Sequence, residues 1–158
     1  VEIAGLLGKS RNITVSIWAN LSVGDTSGAE AVSLGDYVGI RLDGNGNKGV
    51  MGFYYDGTTW HATTTGTFYA GAGWHHVVYV IDASNNSQNV YIDGVVMGST
   101  AHKQSLSYSG LGSNTFIGKH GNGISNYDFN GLIDDVRVYN RALSNQEVQN
   151  LYNIGINP

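Results

Sequence analysis

Three observations predict an all-β fold, an antiparallel sandwich with one short C-terminal helix. Glycine supplies 23 of the 158 residues, roughly twice its usual share of about 7%, while charged residues make up only 13%. The apolar residues fall in short runs with a period of two, separated by Gly, Asn, Asp and Ser, which is the pattern of half-buried strands joined by turns. Only the stretch after Arg141 changes to a helical period. A helical bundle is excluded by the glycine content, and 158 residues suit a single domain with one core.

In order, Val1–Ile3 reads as a short strand and Gly5–Asn12 as a loop. Ile13–Ala19 is a strand with Val15, Ile17 and Ala19 on one face, and Leu21–Ala29 is expected to be an exposed polar loop. Ala31–Leu34 and Tyr37–Leu42 are strands joined at Gly35-Asp36. The turn Asp43-Gly-Asn-Gly-Asn-Lys-Gly49 then leads into Val50–Tyr55, completing a hairpin. Asp56-Gly57 turns into Thr59–Thr63. Gly71–Gly73 introduces a long apolar strand, Trp74–Asp82, placed centrally. Asn85-Asn86 leads to Gln88–Ile92, Asp93-Gly94 forms a two-residue hairpin into Val95–Ser99, and Thr115–Lys119 follows the loop Ser105–Gly112.

The last thirty residues organise the rest. Ile133–Tyr139 alternates, with Val136 and Val138 on one face, Asp135, Arg137 and Tyr139 on the other, and Asp134 on the Val face. A carboxylate in an apolar row needs a hydrogen bond or a cation. Ser144 followed by Glu147 is a capping box, Leu143 and Val148 hold the staple positions around it, and Asn153 and Gly155 supply the stop of a helix beginning at Asn145.

The net charge is −4, the pI is near 5.6 and the 8 basic residues are scattered, so neither a nucleic-acid partner nor an anionic membrane is expected. There is no cysteine, which excludes disulfides and thiolate metal sites. No run approaches the roughly 18 apolar residues that span a bilayer, so no membrane insertion is expected. Gly44-Asn-Gly-Asn-Lys-Gly49 matches a dinucleotide fingerprint, but a strand follows where a helix is required. Asp43, Asn45 and Asn47 have the one-three-five spacing of a calcium loop, yet Lys48 and Tyr54 stand where glycine and a bidentate glutamate belong. A hairpin turn is the preferred reading of both, with a cation site the alternative at Asp43, Asn45 and Asn47. None of the five histidines forms a zinc pair. Of His75 and His76, one is expected to bond inside the sandwich and the other to face its open side.

Four segments together, "Thr14-Val-Ser-Ile-Trp", "Gly73-Trp-His-His-Val-Val-Tyr-Val", "Tyr91-Ile-Asp-Gly" and "Asn130-Gly-Leu-Ile-Asp-Asp-Val-Arg-Val-Tyr-Asn-Arg-Ala-Leu-Ser", resemble the laminin-G-like, concanavalin A-like jelly-roll modules of secreted and surface proteins. They occur in the family's order and span nearly the whole chain. The resemblance implies a jelly roll over 1–158 and a secreted or cell-surface location. It also implies that one or more strands upstream of Val1 are missing or supplied by a neighbour. Asp134 matches an aspartate that in many such domains helps to hold a structural calcium, with Glu2 or a carbonyl near Val1 completing the shell; a hydrogen-bonded Asp134 is the alternative. Glycosidases of the laminarinase type share the fold but carry a Glu-x-Asp-x-x-Glu strand. This chain has only Glu2, Glu30 and Glu147, far apart, and adjacent Asp134-Asp135 point to opposite faces of a strand. Hydrolysis needs two carboxylates about 5–9 Å apart, so no enzyme is expected.

The remaining function is a carbohydrate-binding or adhesion face. Sugars stack C–H surfaces on aromatics and hydrogen-bond through Asp, Asn, Arg and His. In the 37–55 hairpin, Tyr37, Gly39 and Arg41 share a face, with Gly52 and Tyr54 expected opposite them, giving a glycine floor between polar walls. Asp56, Trp60, His61, His120, Asn122 and Tyr127 are expected to add to this cleft for a glycan or surface polysaccharide. A runner-up is a structural module of a surface assembly, which takes a protein partner through an exposed sheet edge at Val1–Ile3. A truncated glycosidase comes third.

Overall fold

The computed structural model describes residues 1–4, 10–22, 28–42, 49–102, 105–107, 114–123 and 127–156. The strands are β1 (Glu2–Ala4), β2 (Ile13–Leu21), β3 (Glu30–Leu34), β4 (Val38–Arg41), β5 (Met51–Tyr55), β6 (Trp60–Thr64), β7 (His75–Asp82), β8 (Ser87–Ile92), β9 (Val95–Ala101), β10 (Asn114–Ile117) and β11 (Gly131–Tyr139), and they precede one helix, α1 (Asn145–Ile156). A six-stranded sheet in the order β1-β10-β3-β4-β5-β6 packs on a five-stranded sheet in the order β11-β2-β7-β8-β9. Neighbouring strands are antiparallel throughout. The sandwich, the terminal helix and the central place of β7 are as the sequence predicts. The calcium-like spacing at 43–47 and the fingerprint at 44–49 lie almost wholly outside the described residues.

The core fills the space between the sheets. Ile13, Val15 and Ile17 of β2 and Val77, Tyr79 and Ile81 of β7 meet Val32, Val38 and Ile40 of the opposite sheet. Leu21 and Ala29, expected in an exposed loop, are buried in the same core. Cross-strand partners in an antiparallel ladder share a face, so the register sorts the hairpin. Val38 pairs with Tyr54 and Ile40 with Gly52, while Gly39 pairs with Phe53 and Arg41 with Met51. The first two pairs face the core. Gly52 and Tyr54 are therefore not on the polar face, and Phe53 and Met51 are.

Gly52 is required where it stands. A Cβ there would fall 2.2 Å from the Tyr79 ring, whose hydroxyl donates to Gln88 Oε1 at 2.6 Å, so the ring cannot swing aside freely. Gly52→Ala is expected to cost about 1–3 kcal/mol by overpacking. At roughly 2–4 °C per kcal/mol for a domain of this size, thermal unfolding should move several degrees lower. An unchanged melting temperature would contradict the tight Tyr79–Gly52 approach.

The five-stranded sheet is covered outside by α1. The capping box forms, with Ser144 N–H donating to Glu147 Oε2 at 2.9 Å and Glu147 N–H to Ser144 Oγ at 3.3 Å. Leu143 and Val148 are buried against Val78, Val80 and Tyr91. Thr14 ties β2 to this helix by donating to the Arg141 carbonyl and accepting from Leu143 N–H. The helix runs on through Asn153 and Gly155 to Ile156. Gly155 packs against Trp18, where a Cβ would sit 2.3 Å from the indole nitrogen, so this glycine serves close packing and not a stop. His76 is buried under the helix between Trp18 and Tyr152, with Nε2 2.9 Å from Ser16 Oγ; the side expected to be open is covered. His75 turns the other way, its Nδ1 2.8 Å from Asp93 Oδ2. Asp93 and Gly94 both have positive φ, 51° and 80°, as a two-residue hairpin of this hand requires.

In β11 the alternation expected from Ile133 to Tyr139 is broken. Asp134 pairs with Trp18 and Arg137 with Ser16, so two residues oppose one, and Asp135 has φ 47°. This β-bulge shifts the faces by one residue. Asp134 consequently lies on the outer, Trp18 side and not in the valine row.

Candidate functional site

The outer face of the six-stranded sheet carries a groove of about 400 Å³, lined by Asp36, Arg41, Met51, Phe53, Trp60, Ala62, His120 and Tyr127. Its floor is low because Gly39 has no side chain: the Phe53 ring lies across it, and a Cβ would come within 2.4 Å of that ring. Trp60 forms one wall, packed edge-on to Phe53 and tilted against Tyr55. It remains 46% exposed, so part of the indole is open to a ligand.

The other wall is built on a buried charge. Glu30 has no exposure, and its Oε2 accepts from Arg41 Nε at 3.1 Å and Nη2 at 3.0 Å, with His120 Nε2 3.9 Å away. Burial pushes the Glu30 carboxyl above its ordinary range, against the opposing pull of Arg41, Ser33 and His120. The Arg41 guanidinium lies 4.1 Å from the centroid of Tyr127 and 4.9 Å from that of Phe53, a cation held between two rings. Tyr127 is brought there by the backbone, since Glu30 N–H donates to the Tyr127 carbonyl at 2.8 Å and Glu30 forms a parallel bridge with Asp128.

Asp36 sits at the end of the groove in the β3–β4 turn with φ 57°. Partial burial raises its carboxyl, while His120 and Arg41 act in the opposite direction. Gly121 lets the following loop press onto this turn; a Cβ there would be 2.2 Å from Ser33 Oγ and 2.6 Å from Asp36 Cα. That approach delivers His120, whose Nδ1 lies 2.6 Å from Asn122 Oδ1 and whose ring packs on Tyr127. The groove thus offers an aromatic platform, a carboxylate acceptor and guanidinium and imidazole nitrogens in one open concavity.

Of the residues expected here, Arg41, Trp60, His120 and Tyr127 converge, and Asn122 orients His120. Tyr37 and Tyr54 do not belong: both are buried in the core. Tyr54 stacks on His61 with ring centroids 4.8 Å apart and lies tilted against His102 at 4.7 Å. His61 pairs with Tyr54 across the strands and so faces inward. Asp56 is spent on its own turn. It accepts from Thr58 N–H, Thr58 Oγ1 and Thr59 N–H, with His61 Nε2 2.7 Å from its other oxygen; His61, then Thr59 and Thr58, hold its carboxyl well below the ordinary range. Glu30, Asp36, Met51 and Phe53 are additions that strand alternation does not supply. Glu30 has one visible signal, an unaccompanied acid opening the apolar run Glu30-Ala-Val.

Of the residues expected to hold calcium, Asp134 and Glu2 lie in different sheets. Asp134 is exposed on the outer face and accepts from Asp135 N–H at 2.7 Å. Glu2 lies in the other sheet and accepts from Asn114 Nδ2. Calcium takes six to eight oxygens, and among the described residues no group of three or more His, Cys, Asp or Glu converges.

The family model described as the concanavalin A-like lectin/glucanases superfamily matches residues 1–149. The chain belongs to this superfamily. Three solved structures illustrate the likeness. A SAP-like pentraxin from Limulus polyphemus has a TM-score of 0.71 at 16% identity, covering 96% of this chain and 74% of that one. Domain 4 of AbnA, an extracellular arabinanase from Geobacillus stearothermophilus solved with arabinotriose, has a TM-score of 0.69 at 23% identity, covering 95% and 70%. Botulinum neurotoxin type C, whose cell entry depends on two ganglioside molecules, has a TM-score of 0.65 at 12% identity, covering 91% of this chain and 36% of that one. At these identities the likeness is one of fold. No curated protein sequence matches the chain. No helix among the described residues is long and apolar enough to cross a membrane.

Proposed function

We propose that this chain is a non-catalytic carbohydrate-binding module of a secreted or surface protein, and that the groove over β4, β5 and β6 is its binding site. The observation that carries the reading is the convergence of a half-exposed Trp60 indole with Asp36, Arg41, His120 and Tyr127 in one groove. A sugar ring stacks its C–H face on the indole while its hydroxyls donate to Asp36 and accept from the nitrogens opposite. The carbohydrate- and ganglioside-binding relatives of the same fold support this reading. Against catalysis, hydrolysis needs two carboxylates on one bond. Glu30 is buried and engaged by Arg41, which leaves Asp36 as the one carboxylate among the described lining residues to meet a ligand.

The test is a glycan array followed by calorimetry on the hits, for the wild type and for Trp60→Ala. Loss of the indole is expected to weaken binding about tenfold or more, or some 1.4 kcal/mol, while the melting temperature moves by only a few degrees. Binding that is indifferent to Trp60 would exclude the groove as the binding site. A second reading, an assembly module that accepts a partner strand, is favoured by the position of β1 at the end of the six-stranded sheet. It stands if no glycan binds.

A further inference from the structure

Whether the groove takes neutral or acidic sugars follows from how its charges are arranged. A cation that recognises a carboxylate best offers an uncompensated guanidinium. Arg41 is already compensated. Its Nε and Nη2 donate to Glu30 Oε2, and its guanidinium lies over the Tyr127 and Phe53 rings. The Glu30 carboxylate behind it has no solvent exposure, so its field is not screened by water and acts on whatever approaches Arg41. Asp36 adds a second carboxylate on the groove lining. Among the described residues two carboxylates, Glu30 behind the groove and Asp36 on its lining, stand against the one guanidinium of Arg41, in a chain whose formal net charge is −4.

We infer that the groove selects neutral glycans and rejects uronate- and sialate-bearing ones, and that buried Glu30, which no bound sugar would touch, determines this by neutralising Arg41. This rests on the glycan-binding reading above and adds the ligand's charge class. A neutral sugar presents hydroxyl protons to Asp36 and loses nothing by the local charge. A carboxylated sugar must place its charge near Asp36 and the Glu30–Arg41 pair, with no uncompensated guanidinium or ammonium among the described lining residues to receive it.

The test uses pairs of oligosaccharides that differ in a carboxylate: β-1,4-mannotriose with its mannuronate counterpart, cellotriose with its glucuronate counterpart, and lactose with sialyllactose. Each is titrated at pH 7 into the wild type, Glu30→Gln and Asp36→Asn. The second variant guards against Glu30→Gln failing to fold, since asparagine tolerates the positive φ of position 36. The neutral member is expected to bind about tenfold or more tightly than its acidic partner. Each variant should narrow that gap, Glu30→Gln by a gain in affinity for the acidic member that structural damage would not produce. Acidic binding that equals or exceeds neutral binding and disappears in Trp60→Ala would overturn the selectivity while leaving the glycan site intact. A gap that is unmoved in both variants would overturn it equally. Failure of every sugar to bind would overturn the site itself and this inference with it.

Discussion

Arg41→Ala is expected to destabilise the fold at neutral pH by about 3–5 kcal/mol, the cost of leaving one partner of a buried ion pair uncompensated. For a chain of this length that lowers the melting temperature by on the order of 10 °C. Glu30 is fully buried, and Arg41 supplies both hydrogen bonds to its Oε2. The loss should depend on pH in a defined direction. Burial already raises the Glu30 carboxyl, and Arg41 is the strongest influence holding it down, so removing Arg41 raises it further. A carboxyl raised in the folded state contributes stability that is present below its unfolded value and is lost as pH rises through its folded value. The variant should therefore approach wild-type stability near pH 4 and diverge from it toward pH 7. Adding Glu30→Gln to Arg41→Ala should restore much of the loss at pH 7. A deficit that is equal at both pH values, with no rescue by glutamine, would show that Arg41 acts through packing alone.

The second large effect belongs to His76 and has the opposite sign. Burial beneath α1 lowers its pKa from 6.5 to about 4. Asp93 and Asp135 favour the charged ring, Arg137 disfavours it, and desolvation outweighs them all. A histidine held neutral contributes stability that is present above pH 6.5 and is lost as pH falls toward 4. The whole interval is worth about 3 kcal/mol at 1.36 kcal/mol per pH unit. His102, also lowered by burial, acts in the same sense, while Glu30 and Asp36, both raised, act against it. His76→Gln keeps a polar group near Ser16 Oγ and removes the titration, so its denaturant-derived stability should fall much less between pH 6.5 and 4 than that of the wild type. Parallel pH curves for the two proteins would rule His76 out as the acid-sensitive group.

Much of the architecture can be read from sequence because its signals are local. Asp93-Gly94 needs two positive φ values, and Ser144 with Glu147 can only cap a helix. The faces of β5 and β11 are not local in this way. Met51-Gly-Phe-Tyr-Tyr55 is apolar on both sides, so only its register with β4 decides that Tyr54 enters the core and Phe53 lines the groove. In β11 the bulge turns on Asp135 adopting φ 47° with no glycine to announce it, and the expected place of Asp134 fails for that reason. The candidate site is half legible. Arg41 and Trp60 follow from strand alternation and exposure, and His120 and Tyr127 stand out as aromatic and polar residues of nearby loops. Their convergence on Glu30, however, depends on a bridge between positions 30 and 128. Nothing in the spacing of the two segments encodes that bridge.

Amide chemical-shift mapping during titration with an array-positive neutral oligosaccharide tests whether a glycan occupies the groove on the six-stranded sheet. Occupancy of the groove predicts shifts concentrated in β4, β5 and β6 and around Asp36, His120 and Tyr127, with the Trp60 indole N–H among the most perturbed. Shifts confined to the opposite side of the sandwich, around Trp18 and Trp74 beside the helix, would contradict it.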